Sequence, residues 1–371
     1  MSLTDWVCAI AGALATGLIA WSLIPWSRQY QLVDRPSGRH DHAAPTPVVG
    51  GLAIFFSVAC IGLARGGGGS AGFLAFLAAA ALLVVVGVLD DLRDLSWRLR
   101  VPMQALAAVI LFAGGAYASN VGNLLNLGLW SLPFSIFATV GVINAVNMID
   151  GSDGLAGSLM AVALGFFVFE AVQAGDHTLA AQLLLLLGSV LGFLALNLRF
   201  KGQPAARIFL GNSGSALLGL CIAWAAFRLA RQPGHASAGI LAPWVLAIPL
   251  IDCVVLMGRR MLRGGSPFRA DRNHIHHLMR DAGYSPQRIV GIAVIVSILA
   301  GFAADAWLRR GWPELPLVLI FLGLIAAHFA WSARRERAVA LLQRKPVSVA
   351  TAPTAYAPSG EPAALPRSFH D

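Results

Sequence analysis

Residues 71–94 read AGFLAFLAAAALLVVVGVLDDLRD, an apolar run that ends in three acidic residues. The part from 71 to 89 carries no charge and approaches the roughly 20 residues that a helix needs to cross a bilayer. It therefore predicts a transmembrane helix. Asp90, Asp91 and Asp94 follow at the membrane boundary, where unpaired carboxylates are costly and usually functional.

Similar apolar runs recur along the chain and predict an all-α integral membrane protein, a polytopic bundle of about eleven transmembrane helices. They cover approximately 4–26, 48–64, 71–89, 101–118, 131–149, 155–174, 178–197, 210–230, 238–258, 287–308 and 314–332. Hydrophobic residues make up 57% of the chain and charged residues only 12%, half the share of about 25% in soluble domains. We expect one transmembrane domain over residues 1–335. Its C-terminal extension, 336–371, turns to Pro, Ala, Ser and Thr after Lys345, which favours a disordered tail.

Lys and Arg distinguish the two sides of this bundle. They concentrate in the loops after the first, third, seventh and ninth runs and in the tail, whereas the other side holds Arg65, Arg228, Arg231, Arg309 and Arg310. By the positive-inside rule the richer side is cytoplasmic, so the N-terminus is periplasmic and the C-terminus cytoplasmic. This distribution also explains the net charge of +9 through topology and anionic headgroups, without nucleic-acid binding.

The unusual polar residues all fall on the side assigned as cytoplasmic, although the assignment used Lys and Arg alone. They are Asp34, Arg39 and His42; Asp90, Asp91 and Asp94; Asn144, Asn147, Asp150 and Asp153; Asn212, Ser213 and Ser215; and Arg263, Arg269, Asp271, Arg272, His274, His276 and His277. Such convergence predicts a single active site at one membrane face.

Two acidic motifs suggest a divalent cation and an anionic substrate. Asp90 and Asp91 resist joint ionisation unless a cation neutralises them, and Mg²⁺ binds one or two carboxylates together with phosphate oxygens. The alternative is a solvated loop whose arginines pair with the acids. In NAVNMIDGSDGLAG (144–157), Asp150 and Asp153 precede the N-terminus of the sixth helix, which favours an anion. The alternative there is that they only cap the helix.

Two further motifs point to phosphate. FLGNSGSALLG (209–219) opens the eighth helix, and its amides and hydroxyls could surround a phosphate group, although small residues also serve helix packing. DRNHIHHLM (271–279) places three histidines beside arginines, which suits a basic, hydrogen-bonding cup for a diphosphate better than a zinc site. Asp252 is an intramembrane carboxylate and thus a candidate for function or helix pairing.

Together these motifs resemble those of the polyprenyl-phosphate N-acetylhexosamine-1-phosphate transferase family. The resemblance runs from about residue 30 to residue 280 and rests on DRPSGRHDHAAPTPVVGG, LDDLRDL, NAVNMIDGSDGLAG, FLGNSGS and SPFRADRNHIHH. It implies a multi-pass enzyme of the bacterial inner membrane with a cytoplasmic active site. The reaction implied is Mg²⁺-dependent, with Mn²⁺ as a substitute: a UDP-N-acetylhexosamine gives its sugar 1-phosphate to undecaprenyl phosphate and UMP is released.

The resemblance also implies residue roles. Asp90 and Asp91 fall on the family's paired catalytic acids, and Asp91, Asp153 and Asn212 on its metal-binding positions. Asp150 matches a position tied to nucleotide and metal handling, and the histidines match the family's histidine box, expected to contact the diphosphate or sugar. We further assign Asn147, Arg263, Arg269 and Arg272 to nucleotide-sugar and diphosphate binding, and Asp34, Arg39 and His42 to lipid-phosphate or structural positions. The HIHH form resembles the O-antigen and teichoic-acid initiators, which favours UDP-GlcNAc as the donor. Membrane lipids are further partners, and a homodimer is left open.

One departure from the family pattern bears on activity. The family usually has FLGDxGS, and the aspartate is regarded as a principal Mg²⁺ ligand, but position 212 here is Asn. An amide oxygen brings no charge and should bind Mg²⁺ more weakly. The alternatives are therefore a different UDP-N-acetylhexosamine donor, or a relative inactivated by Asn212. A membrane prenyltransferase or a lipid-sugar transporter is a weaker alternative, because the first lacks a histidine segment and the second places its site near mid-bilayer.

Overall fold

The structure is a computed structural model that describes residues 1–34, 45–235, 237–268 and 271–343. In this part of the chain the helices are α1 Leu3–Gln29, α2 Gly50–Ala64, α3 Ala71–Arg93, α4 Trp97–Ala113, α5 Ser131–Ile149, α6 Leu155–Gln173, α7 His177–Asn197, α8 Gly211–Ala230, α9 Ala238–Val245, α10 Ala247–Leu262, α11 Ile275–Asp281, α12 Pro286–Arg309, α13 Leu315–Trp331 and α14 Arg335–Leu342. Two antiparallel pairs of two-residue strands join β1 (Val33–Asp34) to β2 (Thr46–Pro47) and β3 (Asn120–Val121) to β4 (Leu125–Asn126).

Every predicted span falls on a helix, which confirms a polytopic all-α membrane protein. Among the described residues, seven helices are long and apolar enough to cross a membrane, and up to nine if each of two bent pairs is one span. The difference from eleven lies mainly in α2 and α4, which have 15 and 17 residues and fall short of a bilayer's thickness. The count of eleven and the orientation of the termini stay predictions.

The helix α8 forms the centre of the bundle. Its Trp224 is fully buried and stacks on Phe76 of α3, with ring centroids 4.5 Å apart. At the other end of α8 the backbones meet directly. A Cβ atom added at Gly87 of α3 would lie 2.3 Å from the Cα atom of Ser213, and one at Gly51 of α2 would lie 2.3 Å from the amide nitrogen of Gly214. This close approach, which glycine alone permits, brings the acidic end of α3 against the start of α8.

Two sharp bends shape the C-terminal third. The axes of α9 and α10 differ by 77°, and those of α13 and α14 by 104°. The helix α14 corrects the predicted tail: residues 336–342 are helical, with Ala338 buried and the carbonyl of Leu342 accepting a hydrogen bond from the Tyr284 hydroxyl at 3.2 Å. The prediction missed this segment because it began the tail at residue 336, whereas the composition rich in Pro, Ala, Ser and Thr begins only after Lys345. Residues 344–371 lie outside the described part.

Candidate active site

A cavity of about 1020 Å³ opens at the end of the bundle where α3, α5 and α10 end and α6 and α8 begin. Residues from every predicted motif line it, namely Asp34, Asp90, Asp91, Asp94, Asn144, Asn147, Asp150, Asp153, Asn212, Asp271, Arg272, His274, His276, His277 and Arg280. The fold therefore gathers into one cavity groups that are far apart in the sequence. Among the polar residues predicted to converge, three that the structure describes are not part of the lining: Arg263 ends α10 and is exposed, and Ser213 and Ser215 are buried in α8. The predicted Arg39, His42 and Arg269 lie outside the described residues.

The paired acids Asp90 and Asp91 have different surroundings. One carboxylate oxygen of Asp90 accepts a hydrogen bond from the amide of Leu95 at 2.8 Å, and the other pairs with Arg100 at 2.9 Å. Oδ1 of Asp91 accepts from the amide of Asn212 at 2.9 Å, whereas its Oδ2 is buried with no hydrogen-bond partner in the described structure. Asp91 thus has an oxygen available to a ligand, and both oxygens of Asp90 are engaged.

The start of α8 donates a backbone hydrogen bond to Asp91. Because the backbone N–H of Asn212 is already bonded to that carboxylate, the loop has one donor fewer for its predicted role in phosphate binding. The side-chain oxygen of Asn212 accepts a hydrogen bond from the side-chain Nδ2 of Asn147 at 2.8 Å. The same Nδ2 also donates to the Ser215 hydroxyl at 3.0 Å. Asn147 therefore joins the end of α5 to the start of α8 and orients Asn212 toward Asp91.

The two acids of the 150–153 motif, Asp150 and Asp153, also have different surroundings. Oδ2 of Asp153 accepts from Nε of Arg199 at 2.6 Å and from the amide of Ala206 at 3.0 Å, which fixes the loop between α7 and α8. Neither acid is the N-cap of α6: that residue is Gly154, which has no side chain to accept from the first turn and donates its own amide to Oδ1 of Asn197 at 2.7 Å. Burial raises the pKa of Asp150 to about 7, and the neighbouring carboxylates Asp91, Asp153 and Asp34 raise it further in the same direction.

The histidine segment lies against the 150–153 motif. His276 is 1% exposed, and a Cβ atom added at Gly151 would lie 2.3 Å from its Nε2. Burial holds the pKa of His276 well below its usual range and lowers that of His277 to about 4, and nearby cationic groups act in the same direction. These two rings are therefore neutral hydrogen-bonding groups. The predicted basic cup takes its positive charge from arginines instead.

Three arginines of the cavity were not predicted as site residues: the sequence offered Arg100 only as a partner of the acids in a solvated loop, and accounted for Arg199 and Arg260 through topology. Arg100 pairs with Asp90, Arg199 with Asp153, and Arg260 with Asp271, the last at 2.8 Å. Arg260 also donates to the carbonyl of Pro267 at 2.7 Å, so it organises the start of the histidine segment. The available signal was their position: Arg100 lies in the first turn of α4, just after the first acidic motif, Arg199 in the loop after α7, and Arg260 in the last turn of α10.

The cavity also bears on the Mg²⁺ that the family implies. In the described part of the chain, no group of three or more His, Cys, Asp or Glu side chains is arranged to hold a metal. Mg²⁺, however, uses one or two carboxylates and completes its shell with water and substrate phosphates. The unpartnered Oδ2 of Asp91 beside Asn212 fits such a site. Asp153 fits it less well, because Arg199 occupies its carboxylate.

Comparison with known proteins gives the class to which this fold and cavity belong. A family model described as glycosyl transferase family 4 matches residues 73–230, from α3 to α8. The chain is 34% identical over 298 residues to the undecaprenyl-phosphate alpha-N-acetylglucosaminyl 1-phosphate transferase of Yersinia pestis, covering 78% of this chain and 81% of that relative. The enzyme of the same name from Haemophilus influenzae is 33% identical over 335 residues, covering 87% and 93%. The chain therefore belongs to the polyprenyl-phosphate N-acetylhexosamine-1-phosphate transferases of glycosyl transferase family 4.

Proposed function

We propose that this protein transfers GlcNAc-1-phosphate from UDP-GlcNAc to undecaprenyl phosphate, forming undecaprenyl-diphosphate-GlcNAc and UMP, the first step of O-antigen or related envelope polysaccharide synthesis. The observation that carries the proposal is the cavity at one end of the membrane helices, in which the acids, Asn212 and the histidine segment meet. The names of the relatives supply the acceptor and the sugar.

The place of the cavity suits a reaction between two phases. UDP-GlcNAc is water-soluble, while the acceptor keeps its polyprenyl chain in the bilayer and only its phosphate at the surface. A cavity at the helix ends is accessible to both. We assign it to the cytoplasmic face of the bacterial inner membrane, since the Lys- and Arg-rich loops lie at this end.

Asp91 and Asn212 would hold Mg²⁺, with Asp150 as a further carboxylate in the same cavity. The ion would neutralise charge on the diphosphate of the donor, which is the main requirement of phosphoryl transfer besides alignment. An Asp at position 212 would add a charge to this site, so we expect the present protein to require more Mg²⁺ than relatives that have Asp there.

Side chains of the cavity bind and align the two substrates. An oxygen of the lipid phosphate attacks the β-phosphorus, and the bond from that phosphorus to the bridging oxygen breaks, so that UMP leaves. A phosphate monoester has a second pKa of about 6 and is mostly a dianion at neutral pH. Alignment of the acceptor therefore matters more than a strong base. Arg260, Arg272 and Arg280 line the cavity and supply positive charge, and the neutral His276 and His277 offer hydrogen bonds to the diphosphate.

The test uses purified protein, undecaprenyl phosphate and Mg²⁺, with UDP-GlcNAc, UDP-GalNAc and UDP-MurNAc-pentapeptide supplied separately and UMP release measured. UMP from UDP-GlcNAc is the expected result, and UMP from another donor alone would change the sugar. If folded protein released no UMP from any donor at any Mg²⁺ concentration, the chain would be a relative inactivated by Asn212.

A further inference from the structure

The three histidines of the segment 274–277 differ in what their ring nitrogens contact. Nδ1 of His274 lies 2.7 Å from Oδ2 of Asp252, and its Nε2 lies 3.5 Å from Nη2 of Arg260. Both nitrogens of His276 and Nδ1 of His277 are buried and have no hydrogen-bond partner in the described structure. The protein itself therefore occupies both nitrogens of His274, while the other two rings have nitrogens left for a ligand.

The partner of His274 is a carboxylate inside the bundle. Asp252 belongs to the middle of α10 and is 2% exposed. Its second oxygen, Oδ1, accepts a hydrogen bond from the amide of Ile275 at 3.0 Å, and Nε2 of His328 from α13 lies 3.5 Å from the same oxygen. One buried carboxylate of α10 is thus hydrogen-bonded to the start of α11, and His328 of α13 faces it without a hydrogen bond in the described structure.

The donors and acceptors around His274 determine where its proton lies. An ionised carboxylate only accepts hydrogen bonds, and a guanidinium only donates them. Nδ1 of His274 must then carry the hydrogen toward Asp252, and Nε2 must present its lone pair toward Arg260. The two ring nitrogens thus face Asp252 and Arg260, and neither is directed at a substrate.

We infer that Asp252 is a positioning residue for the histidine segment, and that His274 is its point of attachment and makes no contact with the substrate. By fixing the ring of His274 and the amide of Ile275, Asp252 sets the first turn of α11, which places His276 against Gly151 in the cavity. His328 completes the arrangement by facing the same carboxylate from α13. The inference rests on the proposed function, because what is positioned is the donor-binding part of that cavity.

Energetics favour this role over simple helix pairing. A carboxylate buried in a membrane helix is costly unless several polar groups satisfy it. An apolar residue at position 252 would pack α10 against α13 at lower cost. The groups around Asp252 instead include two from the histidine segment, which is what a residue that orients this segment requires.

A matched pair of substitutions at His274 separates attachment from substrate contact. In His274→Asn the side-chain amide takes the place of Nδ1 and can still donate to Asp252, whereas in His274→Gln it extends toward the position of Nε2. We expect kcat/KM for UDP-GlcNAc to fall at least about tenfold further in His274→Gln than in His274→Asn. An equal loss in both, or the reverse order, would overturn the inference.

Asp252→Asn tests the carboxylate directly. It should lower kcat/KM for UDP-GlcNAc at least about tenfold in protein that elutes as a folded species. The matched control is Asp305→Asn, which removes another buried carboxylate, paired with Arg309 at the far end of α12, and which should change kcat/KM by less than about twofold. Equal effects of the two substitutions would contradict a role in positioning. If Asp252→Asn does not fold, the pair at His274 decides the matter.

A spectroscopic measurement needs no activity at all. In protein labelled with ¹⁵N-histidine, the ring of His274, identified by the signal that His274→Asn removes, should carry a hydrogen on Nδ1. A ring with its hydrogen on Nε2 alone would overturn the inference. Because UMP release by the unaltered protein tests the proposed function separately, failure of one does not count as failure of the other.

Discussion

The backbone of Gly151 lies directly against the imidazole of His276: a Cβ atom at position 151 would lie 2.3 Å from Nε2, far inside van der Waals contact. Two motifs that stand far apart in the sequence are therefore fitted to each other in the cavity. Gly151 is needed at this position because any larger residue would overlap with the ring of His276.

Gly151→Ala should displace His276 and lower kcat/KM for UDP-GlcNAc by about 10- to 100-fold, because small misplacements of a positioning group are costly to catalysis. Gly165→Ala is the matched control, since a Cβ atom there meets nothing within 4 Å. Steady-state kinetics of both variants measure the effect. Wild-type kinetics in Gly151→Ala would show that His276 does not contribute to the reaction.

Asp90 and Arg100 should act as a unit, since their ion pair holds Asp90 at the end of α3. We expect Asp90→Asn and Arg100→Ala each to lower kcat, and the double variant to lose no more than about the larger single loss. Arg98→Ala, two positions away, is the control. Fully additive losses would mean that Asp90 acts independently of Arg100.

Asp91→Asn, by contrast, removes the oxygen available to a ligand and should lower kcat by at least about 100-fold.

Asn212→Asp should be tolerated by the fold, because Asn147 donates a hydrogen bond to the oxygen at this position in either case. The added charge should lower the Mg²⁺ concentration needed for half-maximal activity by about tenfold. A titration of UMP release against Mg²⁺ measures the shift. An unchanged Mg²⁺ dependence would place residue 212 outside the coordination shell.

The helix α14 should support the histidine segment. Arg335 at its start donates to the carbonyl of Arg272 and to the side chain of Asn273, the latter at 3.3 Å, and pairs with Asp281. Arg335→Ala should therefore raise KM for UDP-GlcNAc several-fold, about 1 kcal/mol in binding. Deletion of residues 344–371 is the control and should leave KM unchanged. Equal effects of the two would exclude a specific role for Arg335.

Asp150 should make stability depend on pH. Its folded-state pKa of about 7 lies above the value of about 3.9 in an unfolded chain, so the folded state binds more protons in between. The stabilising contribution is present at low pH and is lost as pH rises through about 7. In a Mg²⁺-free buffer, the melting temperature should fall from pH 5 to pH 8, and Asp150→Asn should reduce that fall. An identical pH dependence in both proteins would contradict the assignment.

The sequence could predict the helices, because long apolar runs fit little else than membrane-spanning helices. It could also predict that the polar motifs lie at one end of the bundle, because charged groups are costly inside the membrane. The pairings within the cavity could not be predicted. The sequence offered Arg93, Arg98 and Arg100 alike as partners of the first acidic motif, and only the fold assigns Arg100 to Asp90. Arg199 and Arg260 carry the same charge as any topology-determining arginine, and only their position in the fold assigns each to an acid. Likewise, the difference between Asp90 and Asp91 depends on which neighbour donates to which oxygen, and adjacent identical residues carry no such signal in the sequence.

The fate of the two phosphates of the donor shows whether the chain transfers a sugar phosphate or the sugar alone. UDP-GlcNAc labelled with ³²P at the β-phosphate would be incubated with the protein, undecaprenyl phosphate and Mg²⁺, and the lipid and aqueous phases counted. We predict Mg²⁺-dependent label in the lipid phase and unlabelled UMP in the aqueous phase, both absent from Asp91→Asn. Label that stayed in water as UDP, with the sugar alone reaching the lipid, would contradict transfer of the sugar phosphate.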